Sequence, residues 1–157
     1  MNYQNKNFLV SQSLEIPDID KSWTIFLDRD GVINERIMGH YITKVEDFKF
    51  LPGVIDAIGI FNKLFYKTII VTNQAGVGKR LMSQKDLDDI HNHLESELKL
   101  NGAFVDKIYA CTDLPSKASN HRKPNPYMEH GLEEQAEIEY SLIDYRFSSL
   151  FAFASSL

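Results

Sequence analysis

The amino-acid sequence predicts an α/β protein with three layers and a mostly parallel sheet. Short apolar runs of strand length alternate along the chain with longer segments whose apolar residues recur at helical spacing. This alternation is typical of β-α-β units, in which helices cover the faces of the sheet. Two carboxylates, Asp28 and Asp30, come directly after the first apolar run. Open α/β sheets bind ligands at that end of a strand.

The first predicted strand covers residues 24–27, the apolar run that precedes the two acids. Residues 34–51 show no sustained apolar period, so we predict an irregular flap beside the crevice. From Gly53 onward apolar residues recur at helical spacing, and Pro52 stands at a position typical of a helix start. The segment after Gly53 is therefore expected to be a helix that packs on the sheet.

The middle of the chain predicts a second strand, a loop and a second helix. Residues 67–72 are rich in β-branched side chains and are expected to form a buried strand, followed by a glycine-containing loop. Ser83, with Asp86 three residues later, is typical of a helix start, and this helix should end near Gly102. Its buried stripe consists of four apolar residues at helical spacing: Leu87, Ile90, Leu94 and Leu98. The remaining predicted elements are a strand over 105–110, a polar loop over 112–125, a helix over 126–138 and a strand over 140–143.

The bulk composition favours a small anionic metabolite as the partner. The chain has 157 residues and a net charge of −5, which disfavours nucleic acid. This length supports one domain, preceded by a polar extension over residues 1–22. No apolar stretch reaches the roughly 20 residues that span a bilayer, and the N-terminus does not resemble a signal sequence. We therefore expect a cytoplasmic protein with no membrane partner. Its single Cys111 excludes an internal disulfide, and nothing in the sequence indicates an oligomeric state.

The two acids suit phosphoryl transfer. Asp28 would be ionised at neutral pH and able to attack phosphorus, while Asp30 could protonate the leaving oxygen and later take a proton from water. Gly31 would let the backbone turn sharply where a side chain would crowd a phosphate. The alternative is an acidic turn after a strand, because Asp-Gly is a common turn pair. The acidic motif taken alone leaves both interpretations open.

Two later motifs point to a family. Residues 72–78 read Thr-Asn-Gln-Ala-Gly-Val-Gly, and residues 121–126 read His-Arg-Lys-Pro-Asn-Pro. In this order and spacing, the three motifs resemble the haloacid-dehalogenase-like phosphatase superfamily. Together with residues 39–42 and 51–54, they are similar to the branch that contains the histidinol-phosphate and heptose bisphosphate phosphatases. The resemblance covers roughly residues 23–154. It implies that residues 23–157 form a Rossmann-like core and that this core carries no large cap domain.

The resemblance also implies a mechanism. Asp28 would be the nucleophile that forms an aspartyl-phosphate, and Asp30 the general acid and base. Because a carboxylate must approach a phosphate anion, a cation has to offset the repulsion. Mg²⁺ prefers oxygen ligands in octahedral geometry, and the Asp28 carboxylate and the Asp30 backbone carbonyl would begin to supply them.

The later motifs supply the remaining site residues that the resemblance implies. The Thr72 hydroxyl would hold phosphate oxygens, and Asn73 and Gln74 would donate from their side chains. Lys123 would be the fixed cation that offsets charge on the transferred phosphoryl group. Arg122 would be a substrate contact. The plainer alternatives are an ordinary β-branched strand residue at Thr72 and solvated basic residues in a loop.

The zinc loop of this branch does not match well. Many members carry three cysteines and a histidine before the Arg-Lys-Pro segment, but here the corresponding residues are Cys111, Asp113, Ser119 and His121. A structural zinc site normally needs four nitrogen or sulfur ligands. We therefore predict that the purified protein carries no stoichiometric zinc.

The fourth family motif departs most from the pattern. Tyr145 and Ser149 stand where relatives have two acids, and Asp144 lies one position early. Relatives usually continue beyond the position of Leu157 through at least one more strand. The resemblance therefore implies a metal set of Asp28, Asp30 and Asp144, with magnesium bound weakly and catalysis impaired.

The function predicted from the sequence is magnesium-dependent hydrolysis of a small phosphate monoester, of the sugar phosphate or histidinol phosphate class. Two alternatives stay open. One is a polynucleotide 3′-phosphatase, which the acidic composition disfavours. The other is a catalytically impaired phosphate-binding protein, which the altered fourth motif allows.

Overall fold

A computed structural model of the chain describes residues 18–117, 121–123, 150–155 and 157. The predicted helix over 126–138 and the predicted strand over 140–143 lie outside the described residues. So do Ser119, Asp144, Tyr145 and Ser149, and most of the predicted N-terminal extension.

The described strands form one parallel sheet, which confirms the predicted α/β class. Strand β1 covers Thr24–Leu27, β2 covers Lys67–Asn73 and β3 covers Lys107–Cys111, in the order β1-β2-β3. Strand β3 begins two residues later than predicted because Asp106 uses its carboxylate, at 2.8 Å, to accept the backbone N–H of Thr68. Among the described strands β2 is central. A central position for β1 stays a prediction, since it depends on the predicted fourth strand.

Helix α1 covers Val54–Leu64, as the apolar spacing after Gly53 predicted. Gly53 precedes the helix at a φ of 75°, a left-handed conformation that favours glycine. One face of α1 is buried and packs against helix α4, Leu150–Ala154, and against β2. This helix therefore covers the face of the sheet that carries Leu27 and Ile70.

Helix α3 covers Gln84–Leu100, and both its start and its buried face were predicted correctly. The Ser83 side chain accepts the Asp86 backbone N–H at 3.1 Å, and the Ser83 backbone N–H donates to the Asp86 carboxylate at 2.7 Å. This reciprocal cap satisfies two of the backbone donors at the helix start. The buried stripe is the predicted one: Leu87, Ile90, Leu94 and Leu98.

The two faces of the sheet follow the alternation of β2. Ile70 belongs to the main core, which the buried sides of α1 and α3 complete. Ile69 and Val71 lie on the opposite face with Cys111, where Phe26 and Tyr109 pack against them. Ile69 and Val71 are also fully buried. Both faces of the central strand are therefore covered, as the three-layer prediction requires.

The segment over residues 34–51 is irregular, as predicted, apart from a 3₁₀ turn at Val45–Asp47. Backbone hydrogen bonds fix its two ends to each other: Glu35 donates to Lys49 at 2.8 Å, and Leu51 donates to Ile33 at 2.9 Å. Residues 36–42 of this predicted flap border the cavity described below. In the part of the chain that the structure describes, no helix has the length and apolar character needed to cross a membrane.

The loop predicted after β2 is wrong in one respect, because Ala75–Gly78 form a short helix, α2. Gly78 lies against the backbone of the segment after β3. A Cβ atom added there would lie 2.4 Å from the Thr112 carbonyl oxygen, far inside contact distance. The glycine therefore allows α2 to approach β3 closely.

We expect Gly78→Ala to destabilise the protein by about 1–3 kcal/mol, the usual cost of overpacking, because a backbone carbonyl has to move. The matched control is Gly59→Ala in α1, where an added Cβ would meet no atom within 4 Å. That change should stabilise the fold by about 0.5–1 kcal/mol through helix propensity. Urea denaturation of the three proteins compares them, and equal stability of the two variants would contradict this account of Gly78.

Candidate active site

The predicted site residues meet at the carboxyl ends of β1 and β2. Asp28 follows β1 directly, and Thr72 and Asn73 end β2. Because the strands are parallel, these residues lie at the same edge of the sheet. They line a cavity of about 440 Å³, together with Asp30 and Arg122. A volume of this size is typical of sites for small molecules.

Asp28, which lines this cavity, forms an ion pair with Lys123, with 2.9 Å between Oδ1 and Nζ. Oδ1 of Asp28 also accepts the Arg29 backbone N–H at 2.7 Å. Oδ2 accepts no hydrogen bond from the described residues. The Asp28 side chain is 46% exposed and that of Lys123 is 23% exposed. The pair therefore stays accessible to a ligand, with one carboxylate oxygen not engaged by its described neighbours.

Asn73 fixes the backbone of Lys123. The Lys123 N–H donates to Oδ1 of Asn73 at 3.1 Å, and Nδ2 of Asn73 donates to the Lys123 carbonyl at 3.2 Å. This two-bond contact ties the segment over residues 121–123 to the end of β2. Asn73 also lines the cavity. The residue predicted to contact substrate thus has a second task, which is to hold Lys123 beside Asp28.

Asp30 lies in a dense hydrogen-bond network. Its Oδ1 accepts from Nη2 of Arg29 at 2.9 Å and from Nδ2 of Asn34 at 3.0 Å, and its Oδ2 accepts from Nε2 of Gln74 at 2.6 Å. Burial raises the pKa of Asp30, but the charge of Arg29 and these hydrogen bonds outweigh it and hold the pKa below its usual value. Asp30 is therefore ionised at neutral pH in the ligand-free protein.

The structure corrects the role expected for Gln74. Its side chain is fully buried and does not line the cavity. Instead, Nε2 donates to Asp30 and, at 2.8 Å, to the Thr72 hydroxyl oxygen. Because that oxygen accepts from Gln74, the Thr72 hydroxyl proton remains available to a ligand in the cavity that Thr72 lines. Gln74 positions two site residues and is not placed to contact substrate itself.

Gly31 makes the sharp backbone turn that the sequence predicted. Its φ is 89°, which L side chains rarely adopt. An added Cβ would meet Arg36 at 3.7 Å, an ordinary contact distance. The backbone conformation alone therefore favours glycine here, and the effect of a side chain on a bound phosphate stays a prediction.

Sequence reasoning missed Arg29, whose side chain is fully buried between the site and α3. Besides its contacts with Asp30, its Nη1 lies 3.1 Å from Nε2 of His91 on α3. Burial and then the charge of Arg29 lower the pKa of His91 to about 4, so this imidazole is neutral. One signal was present, because a buried acid requires a partner and Arg29 is its neighbour in the chain.

A group of basic side chains on the cavity wall was also only partly predicted. Arg122 lines the cavity and donates from Nη1 to the Asp113 carbonyl at 3.1 Å. Arg36 and His40 of the flap lie on the same wall. Lys79, the residue that follows α2, lies there too. The positive wall comes from three separate segments, which the spacing of one motif does not reveal.

Comparison with known proteins finds relatives that are named as phosphatases. The D-glycero-α-D-manno-heptose-1,7-bisphosphate 7-phosphatase of Mycobacterium tuberculosis is 39% identical over 104 residues, covering 66% of this chain and 55% of the relative. The D-glycero-β-D-manno-heptose-1,7-bisphosphate 7-phosphatase of Rhodopseudomonas palustris is 37% identical over 110 residues, covering 66% and 60%. The chain thus spans between half and two thirds of the length of these relatives. No protein-family model matches it.

A solved structure agrees with these relatives. The D,D-heptose 1,7-bisphosphate phosphatase from B. bronchiseptica, complexed with magnesium and phosphate, superposes with a TM-score of 0.64 at 31% identity. The match covers 68% of this chain and 59% of the other. The chain shares the fold of these phosphatases, which is that of the haloacid-dehalogenase-like superfamily.

For a chain with this fold, the described metal ligands are incomplete. The described residues contain no group of three or more His, Cys, Asp or Glu side chains placed to hold a metal. Asp28 offers Oδ2 and Asp30 offers its backbone carbonyl, both oxygen donors of the kind that Mg²⁺ prefers. Asp144, the third predicted ligand, lies outside the described residues. The donors that the structure does describe fit a magnesium ion.

Cys111, the first of the four residues at the predicted zinc-loop positions, ends β3. This residue is buried, and burial raises the pKa of its thiol. The absence of stoichiometric zinc stays a prediction, which metal analysis of the purified protein tests.

Proposed function

We propose that the protein hydrolyses a sugar phosphate monoester through a phosphorylated Asp28. The observation that carries the proposal is the pairing of Asp28 with Lys123 at 2.9 Å in an accessible cavity. This reaction requires at least a nucleophile and a cation that offsets the charge of the phosphoryl group. The similarity to proteins that are named as phosphatases supports the same reaction.

The first step would be attack of Oδ2 of Asp28 on phosphorus. Lys123 and the hydroxyl proton of Thr72 would hold the phosphate oxygens during this attack. When bound, Mg²⁺ would supply further positive charge against the repulsion between carboxylate and phosphate. As the phosphorus–oxygen bond of the ester breaks, Asp30 would give its proton to the leaving oxygen.

Because the pKa of Asp30 is low, the carboxyl would be protonated only when a substrate is bound. The carboxyl is ionised in the ligand-free protein, so it must gain a proton before it acts as an acid. A phosphate anion bound beside it would raise its pKa, because like charges disfavour the ionised form. After the leaving group departs, Asp30 would take a proton from the water that hydrolyses the phosphorylated Asp28. Asp30 is then protonated, and it releases this proton to solvent when the phosphate leaves, which restores the ionised carboxylate.

We propose a heptose 1,7-bisphosphate as the substrate, hydrolysed at one phosphate. The relatives are named for the 7-phosphatase reaction on this compound. The cavity supports a substrate with a second anionic group, because Arg36, Lys79 and Arg122 line it in addition to the Lys123 that pairs with Asp28. A second anionic group on the substrate would bind these cations in a way that a simple monoester cannot.

Phosphate release from a panel of substrates tests the proposal. The panel contains heptose 1,7-bisphosphate, histidinol phosphate, a 3′-phosphorylated oligonucleotide and p-nitrophenyl phosphate, each with and without magnesium. We expect the highest kcat/KM with the heptose bisphosphate. Faster turnover of the oligonucleotide or of histidinol phosphate would replace the substrate assignment. No turnover of any compound would contradict the proposed function.

We expect activity to require magnesium well above low micromolar concentrations, because Tyr145 and Ser149 offer only neutral oxygens where relatives have acids. A magnesium titration of initial rates measures this, with Asp144→Asn as the variant and Asp56→Asn as a control on α1. Half-saturation at low micromolar metal that is lost only in Asp144→Asn would contradict weak binding. It would also assign Asp144 to the metal shell.

A further inference from the structure

Arg29 connects Asp30 to the body of α3. Its guanidinium has no exposed surface, and its Nε and Nη2 atoms contact the Asp30 carboxylate at 3.2 and 2.9 Å. On the far side, Nη1 lies 3.1 Å from Nε2 of His91. The contacts form one continuous chain, from a helix that the hydrophobic core anchors to a carboxylate at the cavity.

His91 provides the acceptor that this buried guanidinium needs. Arginine carries five N–H donors and no acceptor, and a buried donor without a partner is costly. Among the described residues, His91 is the side chain that Nη1 contacts. A neutral imidazole accepts at one nitrogen and carries its proton on the other, so the contact fixes the proton at Nδ1.

His91 is held in place by its helix. It lies between Ile90 and Leu94, whose side chains are fully buried in the core. Because a planar guanidinium binds a carboxylate through a rigid fork, the angle of Arg29 sets the angle of Asp30. An anchor at Nη1 therefore limits rotation of the fork, and with it rotation of the carboxylate.

We infer that His91 is a positioning residue for proton transfer by Asp30, acting through Arg29. The inference rests on the proposed function, in which Asp30 protonates the leaving oxygen. Loss of the anchor would leave the direction of the Asp30 carboxylate to its contacts with Asn34 and Gln74, and it would be aimed less firmly at that oxygen. Asp28 and Lys123 would keep their own contacts. The step affected is leaving-group departure, and substrates that need the proton most should suffer most.

Two aryl phosphates of similar shape separate this role from a general loss of structure. Phenyl phosphate releases a basic phenolate that needs a proton, whereas p-nitrophenyl phosphate releases a stable anion. The measured quantity is the ratio of kcat/KM for the two substrates. Partial unfolding lowers both values equally and leaves the ratio unchanged, but a misplaced acid lowers the value for phenyl phosphate more.

We expect His91→Leu to lower kcat/KM for phenyl phosphate about tenfold more than for p-nitrophenyl phosphate, a part of the 10²–10⁴-fold that general acid catalysis contributes. His91→Gln should restore most of the ratio, because its amide oxygen can accept from Arg29. The matched control is His93→Leu on the same helix, where the imidazole contacts the Phe48 ring with 5.9 Å between centroids. That variant should keep the wild-type ratio.

The possible outcomes are distinguishable. Equal losses with both substrates in His91→Leu, or no loss with either, would overturn the inference and leave the proposed function intact. A wild-type protein that turns over neither of these compounds nor the heptose bisphosphate would overturn both. If His91→Leu does not fold, His91→Asn gives the same comparison, because its side chain is too short to replace the imidazole. An unchanged ratio in that variant would equally overturn the inference.

Discussion

We expect Asp28→Asn to abolish phosphate release. The fall in kcat should be about 10⁴-fold or more, as for the removal of other catalytic nucleophiles. The amide keeps the shape of the carboxylate but loses the charge and the nucleophilic oxygen. The fold should be unaffected, because Asp28 is 46% exposed and its pair with Lys123 is partly solvated. Single-turnover assays with heptose bisphosphate and p-nitrophenyl phosphate measure the loss, and thermal unfolding measures the fold.

The control for this substitution is Asp56→Asn, which makes the same chemical change at an exposed acid on α1 outside the cavity. It should retain the wild-type rate. A second observable is the phosphorylated intermediate, which acid quenching should trap on the wild-type protein and not on Asp28→Asn. Retention of turnover by a folded Asp28→Asn protein would remove Asp28 from the nucleophile role.

Local sequence signals were sufficient to predict helices α1 and α3 and the edge of the sheet at which Asp28 and Thr72 lie. The cap formed by Ser83 and Asp86 involves residues only three apart, so one turn of sequence is enough to predict where this helix begins. The buried stripe of α3 is likewise set by spacing along one helix. Asp28 and Thr72 could be placed at one edge because parallel strands of a sheet end on the same side.

The directions in which the side chains of the site point could not be predicted from neighbouring residues in the sequence. Gln74 stands in a motif that predicts a ligand contact, but its amide turns inward because the buried Asp30 carboxylate and Thr72 hydroxyl need a donor there. That demand exists only after β1 and β2 have paired. Arg29 is similar, since its burial depends on α3 packing behind the first strand and presenting His91.

The basic cavity wall was missed for a related reason. Lys79 lies with its Nζ 5.1 Å from the centre of the Tyr41 ring, a contact between the residue after α2 and the flap. The Tyr41 ring in turn packs at Gly76, where an added Cβ would lie 3.2 Å from it. An irregular segment carries no period, so its position against α2 follows from packing and not from pattern.

Arg29→Met should destabilise the protein by about 3 kcal/mol, because removal of one partner from a buried ion pair leaves the other charge poorly compensated. Methionine keeps much of the apolar stem, so the loss reports mainly the guanidinium. For a chain of this size, that corresponds to a fall in melting temperature of about 10 °C. Arg36→Met is the matched control, since Arg36 is exposed on the flap and its removal should change stability little.

The pH dependence of this difference identifies its cause. The folded-state pKa of Asp30 is depressed, so its contribution to stability is present above the unfolded pKa and is lost as the pH falls through the folded pKa. In Arg29→Met the burial of Asp30 is no longer offset, so its pKa rises and the carboxyl is readily protonated. The two proteins should therefore differ most near pH 7 and converge as the pH falls below about 4, the ordinary range of an aspartate. Denaturant unfolding across this range measures the convergence. A difference that stays constant with pH, or one no larger than that of Arg36→Met, would show that Arg29 stabilises the site by packing alone and does not hold Asp30 as an anion.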